Sequence, residues 1–185
     1  MLKTRNRGRV IAVLMISSNS SAFAKTVKVK GSGQGTGLSS AFSFDGAAPA
    51  SSIIWTGKDN LGGTYNAHDV GEYAFTTTSC TAPDGSPGTQ FFLVQAATVT
   101  TYKGGQIYGS GTASTDNSGC ANTTSGSFGL TETSSIAGGT GEFANASGSL
   151  TFTVTGTTLA APGNPPGKFG LFSGFQNTFT GSVTF

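Results

Sequence analysis

Charge is scarce in this sequence, and arginine occurs only near its amino terminus. Aspartate, glutamate, lysine and arginine make up 10% of the 185 residues, and all three arginines lie near the amino terminus, at Arg5, Arg7 and Arg9. Proteins that bind nucleic acids or anionic membranes need clustered lysine and arginine side chains. The sequence therefore predicts no nucleic-acid interface and no basic patch for a membrane surface.

Histidine and cysteine are rare as well. His68 is the only histidine, and no positioned-serine motif accompanies it, so a Ser–His–Asp hydrolase is not indicated. One histidine and two cysteines are too few for a zinc site. The aspartates stand singly in turn-like segments, without the spacing of a calcium loop. We therefore expect no metal and no cofactor.

The first 24 residues have the pattern of a signal peptide. Basic residues precede a short apolar stretch at residues 10–16, and Ala22-Phe23-Ala24 offers a cleavage site. The apolar stretch is too short to span a membrane permanently. We expect residues 1–24 to be removed and residues 25–185 to form one secreted domain, periplasmic or extracellular. That domain keeps 6 lysines and 8 acidic residues, and 6 − 8 gives a formal charge of −2.

Cys80 and Cys120 are the only cysteines. In an exported chain two cysteines most simply form a disulfide with each other. Two free thiols or a metal pair are the alternatives, but a metal pair would lack further ligands.

The remaining pattern is that of an all-β protein, since apolar residues recur mostly at every second position. A long apolar run at residues 90–102, then Gly104-Gly105 and a second run at residues 107–113, predicts a hairpin. Further strands are predicted at residues 26–30, 41–44, 52–56, 72–78, 128–136, 149–158 and 175–185. Glycine-rich residues 31–37, polar residues 116–122 and proline-rich residues 161–170 are predicted as loops.

One glycine-rich stretch is more specific than the rest. It begins where the strand predicted at residues 128–136 ends, and glycine is expected there because the backbone must reverse through positive φ. An apolar residue pair with the spacing of one helical turn then follows, suited to closing the end of a sheet. The residues concerned are Gly138, Gly139, Thr140, Gly141, Phe143, Ala146 and Gly148.

This stretch resembles the GGTG-x-F-x-x-A-x-G signature shared by dirigent proteins, plant allene oxide cyclases and small secreted bacterial proteins similar to the latter. The resemblance covers roughly residues 126–158. It implies an antiparallel eight-stranded β-barrel, lipocalin-like in shape. The catalytic residues of those families do not carry over, and the absence of arginine after residue 9 counts against dirigent activity.

Aromatic side chains could line a pocket for an apolar ligand in such a barrel, or they could simply fill its core. The ligand-binding candidates are Trp55, Tyr73, Phe75, Tyr108 and Phe128.

Glu132 is the only catalytic candidate. An unbroken strand would place it on the same face as Phe128, Leu130 and Ile136, where a carboxylate needs a partner, water or a raised pKa. The alternative is a β-bulge that turns Glu132 outward, or a solvated position at the barrel mouth.

Three functions fit these observations. The first is a secreted barrel that binds an apolar small molecule or acts at the cell surface without catalysis. The second is an allene oxide cyclase-like isomerase acting on an oxidised lipid. The third is a structural surface or matrix component without a ligand. A cavity would distinguish the ligand-binding and isomerase functions from the structural one. A carboxylate inside the cavity would favour the isomerase over simple ligand binding. The sequence leaves self-association into a homo-oligomer open.

Overall fold

The computed structural model describes residues 24–39, 50–159 and 172–185, and these residues form an all-β fold. One turn of 3-10 helix, Gly141–Phe143, lies between the seventh and eighth strands. The nine strands are β1 (Thr26–Ser39), β2 (Ala50–Asp59), β3 (Gly63–Thr81), β4 (Pro87–Tyr102), β5 (Gly105–Thr112), β6 (Ser118–Ala121), β7 (Ser127–Gly139), β8 (Ser147–Leu159) and β9 (Phe172–Thr184).

All nine strands belong to one antiparallel sheet that closes into a ring. The order runs β3-β2-β1-β9-β8-β7-β5-β4, and β3 pairs with β4 to complete the circle. The short strand β6 occupies the same gap as β5, because both pair with β4 on one side and with β7 on the other. The prediction of an antiparallel all-β fold is confirmed, and the described residues form nine strands.

The two ends of the ring are filled differently. At one end, buried side chains from seven strands, from the 3-10 helix and from the segment after it form the main apolar core, and we call this the packed end. Its residues are Val29, Trp55, Tyr65, Ala67, Tyr102, Ile107, Ile136, Phe143, Ala146, Phe179 and Val183. The opposite end, reached by the start of β7 and the end of β8, encloses a cavity and is called the cavity end.

The glycine-rich segment at residues 31–37 is part of strand β1, so the prediction of a loop is wrong. Glycines alternate with polar residues there, and the glycines face the interior. A Cβ at Gly33 would lie 2.8 Å from the Tyr65 hydroxyl, and one at Gly35 would lie 2.8 Å from the Phe175 ring. Aromatic rings from other strands thus occupy the space that side chains of β1 would need.

The predicted disulfide between Cys80 and Cys120 is present, with the two Cα atoms 5.9 Å apart. It joins the end of β3 to β6 across the intervening strand β4, whose Gly88 lies opposite Cys80. Residues 116–122 were predicted as a loop, but residues 118–121 form β6, which pairs on both sides.

Three predictions concern segments outside the described residues. These are the signal peptide, of which only Ala24 is described, the strand predicted at residues 41–44, and the loop predicted at residues 161–170.

Candidate functional site

The cavity end of the ring holds an internal space of about 430 Å³, within the size range of small-molecule sites. Its walls come from every long strand except β5 and are mainly aromatic and aliphatic. Trp55, Phe152 and Phe175 lie at its inner limit, with the Phe152 and Phe175 ring centres each 6.5 Å from that of Trp55. Serine, threonine and asparagine side chains also contribute to the lining, and its two carboxyl groups are those of Asp69 and Glu132.

Glu132 points into this cavity. Strand β7 pairs with β8 without interruption from Ser127 to Ile136, so the alternation of side chains is unbroken. Glu132 therefore shares the inner face with Leu130 and lies opposite Phe152. Only 9% of the residue is exposed, so neither an outward turn at a bulge nor a solvated position at the mouth describes it.

Burial sets the protonation of Glu132. Loss of water contact, and then the nearby charge of Asp69, raise the pKa of its carboxyl from 4.5 to about 8. The Tyr73 hydroxyl opposes this rise by donating a hydrogen bond to Glu132 Oε2 over 3.4 Å. Glu132 therefore holds its proton at neutral pH.

Asp69 is the second carboxyl of the cavity, and sequence reasoning missed it. Only 5% of the residue is exposed, and the Thr98 hydroxyl donates a hydrogen bond to Oδ2. Oδ1 is buried without a hydrogen-bond partner in the described part of the chain. Burial raises the pKa of Asp69 to about 6, so Asp69 is ionised at neutral pH while Glu132 is not.

A sequence signal for Asp69 did exist. Tyr65, Ala67, Asp69 and Tyr73 share one parity in β3, but the strand was predicted to begin only at residue 72. A strand extended upstream would have placed Asp69 on the inner face beside the aromatic residues.

Four of the five aromatic candidates line the cavity: Trp55, Tyr73, Phe75 and Phe128. Tyr108 does not. It lies beside inward-facing Ile107 on β5, on the other face of the strand, and its hydroxyl donates a hydrogen bond to Gln106 Oε1. We therefore exclude Tyr108 from the candidate pocket.

The glycine-rich signature lies at the packed end, away from the cavity. Phe143 is buried against Tyr102, with ring centres 5.0 Å apart, and Ala146 is buried in the same core. Gly141 has a φ of +59°, as expected for the turn. Gly139 does not have positive φ, but a Cβ there would collide with the backbone oxygens of Gln106 and Phe143. The signature therefore closes one end of the ring.

The site offers no obvious metal chemistry. Across the described residues, no three or more histidine, cysteine, aspartate or glutamate side chains converge in a way that could hold a metal ion. His68 is exposed on β3, within hydrogen-bonding distance of the Ser52 hydroxyl (2.9 Å), and lies outside the cavity. What the arrangement does offer is a protonated carboxyl, an ionised carboxyl and a tyrosine hydroxyl in one apolar space.

No known protein family, curated protein or solved structure matches this chain. Within the described ranges, no helix is long and apolar enough to cross a membrane.

Proposed function

We propose that this chain is an exported β-barrel that binds an apolar small molecule in the cavity end. The main support is the cavity itself, about 430 Å³ of mainly apolar space inside the ring. A barrel whose aromatic residues served only as core would be filled at both ends, as this ring is at its packed end. The disulfide is compatible with export, because such bonds persist in oxidising compartments.

The strand arrangement supports the barrel. The two strands β5 and β6 both pair with β4 and β7, and counting them as one position supports a barrel of eight strand positions. Eight is the number that the resemblance to dirigent and allene oxide cyclase proteins implies. The closure of the packed end by Phe143 and Ala146 gives the signature residues a structural role in such a barrel.

Isomerisation of an oxidised lipid is the second candidate function, and the buried carboxyls favour it. Glu132 can donate a proton at neutral pH and Asp69 can accept one, because burial raises both pKa values, the charge of Asp69 raises that of Glu132 further, and the Thr98 hydrogen bond lowers that of Asp69. Both line a cavity that would exclude water from a bound lipid. A purely structural surface component would need neither group.

Ligand binding can be tested with N-phenyl-1-naphthylamine, a neutral apolar dye that fluoresces in dry sites. We expect saturable binding to the wild-type protein and loss of binding in Val154→Phe, because Val154 lines the cavity. Thr155→Phe is the matched control, since Thr155 is the next residue of β8 and is exposed outside. Equal dye binding by both variants, or no binding by the wild type, would contradict the proposal.

Catalysis needs a separate test. An unsaturated fatty-acid epoxide is incubated with the wild-type protein and with Glu132→Gln, and the cyclised product is measured by chiral chromatography. Faster or more stereoselective cyclisation than in buffer, lost in the variant, supports the isomerase. Product identical to that in buffer rejects it and leaves the binding function standing.

A further inference from the structure

The charged groups of the cavity are all acidic. Asp69 enters from β3 and Glu132 from β7, and Tyr73 adds a hydroxyl already donated to Glu132. The described lining residues contributed by β1, β2, β4, β8 and β9 include no titratable side chain, and the described lining includes no lysine, arginine or histidine. An apolar ligand entering this space thus meets negative charge with no fixed positive charge beside it.

The cavity also contains buried acceptors that lack donors. Trp55 Nε1 is one buried donor of the lining without a hydrogen-bond partner in the part of the chain described here, and Asp69 Oδ1 and Asn177 Oδ1 are two buried acceptors without one. Asp69 and Asn177 both line the cavity and are only 5% exposed. A buried acceptor without a donor is costly, so a ligand that donates hydrogen bonds here would remove that cost.

We propose that the natural ligand class is an apolar molecule with a protonated amine, whose ammonium group is held between Asp69 and Glu132. An ammonium supplies three donors and one positive charge, which match the orphan oxygen and the two carboxyls. A neutral alcohol matches only the acceptors. A fatty-acid anion places a further negative charge beside that of Asp69. This inference names the ligand of the binding site proposed above and rests on that function.

The affinity for an amine ligand should depend on pH. Without a ligand, the pKa of Asp69 is raised to about 6 and that of Glu132 to about 8, so both groups are largely neutral in acid. A bound cation favours their ionised forms and lowers both pKa values. Amine affinity should therefore rise with pH and level off above about pH 8, while affinity for a neutral ligand should not rise.

The test compares three ligands with one chain length: decylamine, 1-decanol and decanoate. Binding is followed by displacement of N-phenyl-1-naphthylamine and by the fluorescence of Trp55, the only tryptophan, which lines the cavity. At pH 8.5 we expect decylamine to bind at least about tenfold more tightly than decanol. Decanoate should bind most weakly, and the preference for the amine should shrink at pH 5.

Neutral variants of the two cavity carboxyls show whether these groups cause the preference for the amine. Asp69→Asn and Glu132→Gln should each reduce the amine preference while dye binding is kept. Glu142→Gln, which removes one exposed carboxylate at the packed end, should leave the preference unchanged. If a cavity variant fails to fold, the pH dependence of the wild-type protein alone decides.

The outcomes separate this inference from the proposed function. Equal binding of all three ligands, or tightest binding of decanoate, would overturn the amine proposal and leave apolar ligand binding intact. Failure of the dye and of every ligand to bind would overturn both.

Discussion

Tyr73 donates a hydrogen bond to Glu132 Oε2 over 3.4 Å, although their strands β3 and β7 do not pair with each other. The contact therefore crosses the interior of the ring. Within one apolar cavity, it joins a phenol and a carboxyl that lie far apart in the sequence. The pKa of Tyr73 is raised well above 10 by burial and by the nearby charges of Glu132 and Asp69, so the phenol remains a proton donor.

Stability should fall as pH rises, because of Glu132. Its pKa is about 8 in the folded protein and near 4.5 without the burial, so the folded state binds more protons between these values. Each unit of this difference corresponds to about 1.4 kcal/mol. We expect the free energy of unfolding to decrease by a few kcal/mol from pH 4.5 to pH 8.5, with Asp69 contributing in the lower part of this range.

Glu132→Gln tests this assignment because glutamine cannot ionise. The variant should lose less stability over the same pH range in urea unfolding followed by Trp55 fluorescence. Glu142→Gln should behave like the wild type, since Glu142 is exposed. Parallel pH profiles for wild type and Glu132→Gln would show that Glu132 is not the titrating group.

The disulfide should contribute a large share of the stability. Cys80 and Cys120 are 40 residues apart, and closing such a loop stabilises a fold by about 4 kcal/mol in the chain-entropy model. We expect the double variant Cys80→Ala with Cys120→Ala to lose an amount of this order in urea unfolding. Dithiothreitol should destabilise the wild type similarly and leave the double variant unchanged. An effect of reductant on the double variant would point to another cause.

Gly141→Val should destabilise the packed end by more than about 1 kcal/mol. Gly141 has a φ of +59°, and a Cβ there would collide with the backbone oxygen of Gly104. Ala137→Val is the control, because Ala137 is an exposed residue of the extended strand β7. Thermal unfolding that is equally affected by both substitutions would mean that the turn does not require glycine at position 141.

Export should remove the first 24 residues. The basic segment, the short apolar stretch and Ala22-Phe23-Ala24 predict that the mature chain starts at Lys25. Amino-terminal sequencing of exported protein should read Lys25-Thr26-Val27. Exported protein that still begins at Met1 would contradict the prediction.

The strands that could be predicted from the sequence are those whose inner face carries large apolar side chains. β4, β7 and β9 show this pattern, and their predicted and observed positions overlap closely. The first part of β1, residues 26–30, could be predicted because Val27 and Val29 alternate with lysines, but the part from residue 31 onward was missed because its inner positions are glycines. Aromatic rings distant in sequence fill the space beside those glycines. β6 was missed because its four residues are mostly small and polar, and its two neighbouring strands define it.

The site residues, too, could be predicted only where the pattern of a single strand was sufficient. Glu132 could be placed by counting along one strand, since β7 is regular relative to β8. Placing Asp69 in the cavity required the correct start of β3. Excluding Tyr108 required knowing which face of β5 points inward. The proximity of Asp69 to Glu132 depends on ring closure through β3 and β4, which no local pattern encodes.

The glycine positions of β1 also explain where the cavity begins. Gly31 is paired with Phe179 and Gly35 with Phe175, and at both positions the phenylalanine side chain fills the space beside the glycine. Gly37 is paired with Ser173, and there two small residues meet. The free volume beside β1 therefore depends on the β9 residue that each glycine faces, which is aromatic at Gly31 and Gly35, asparagine at Gly33 and serine at Gly37. Replacing Ser173 with an aromatic residue would therefore fill the space beside Gly37. The cavity would become shorter, and the ring would accept only a shorter ligand.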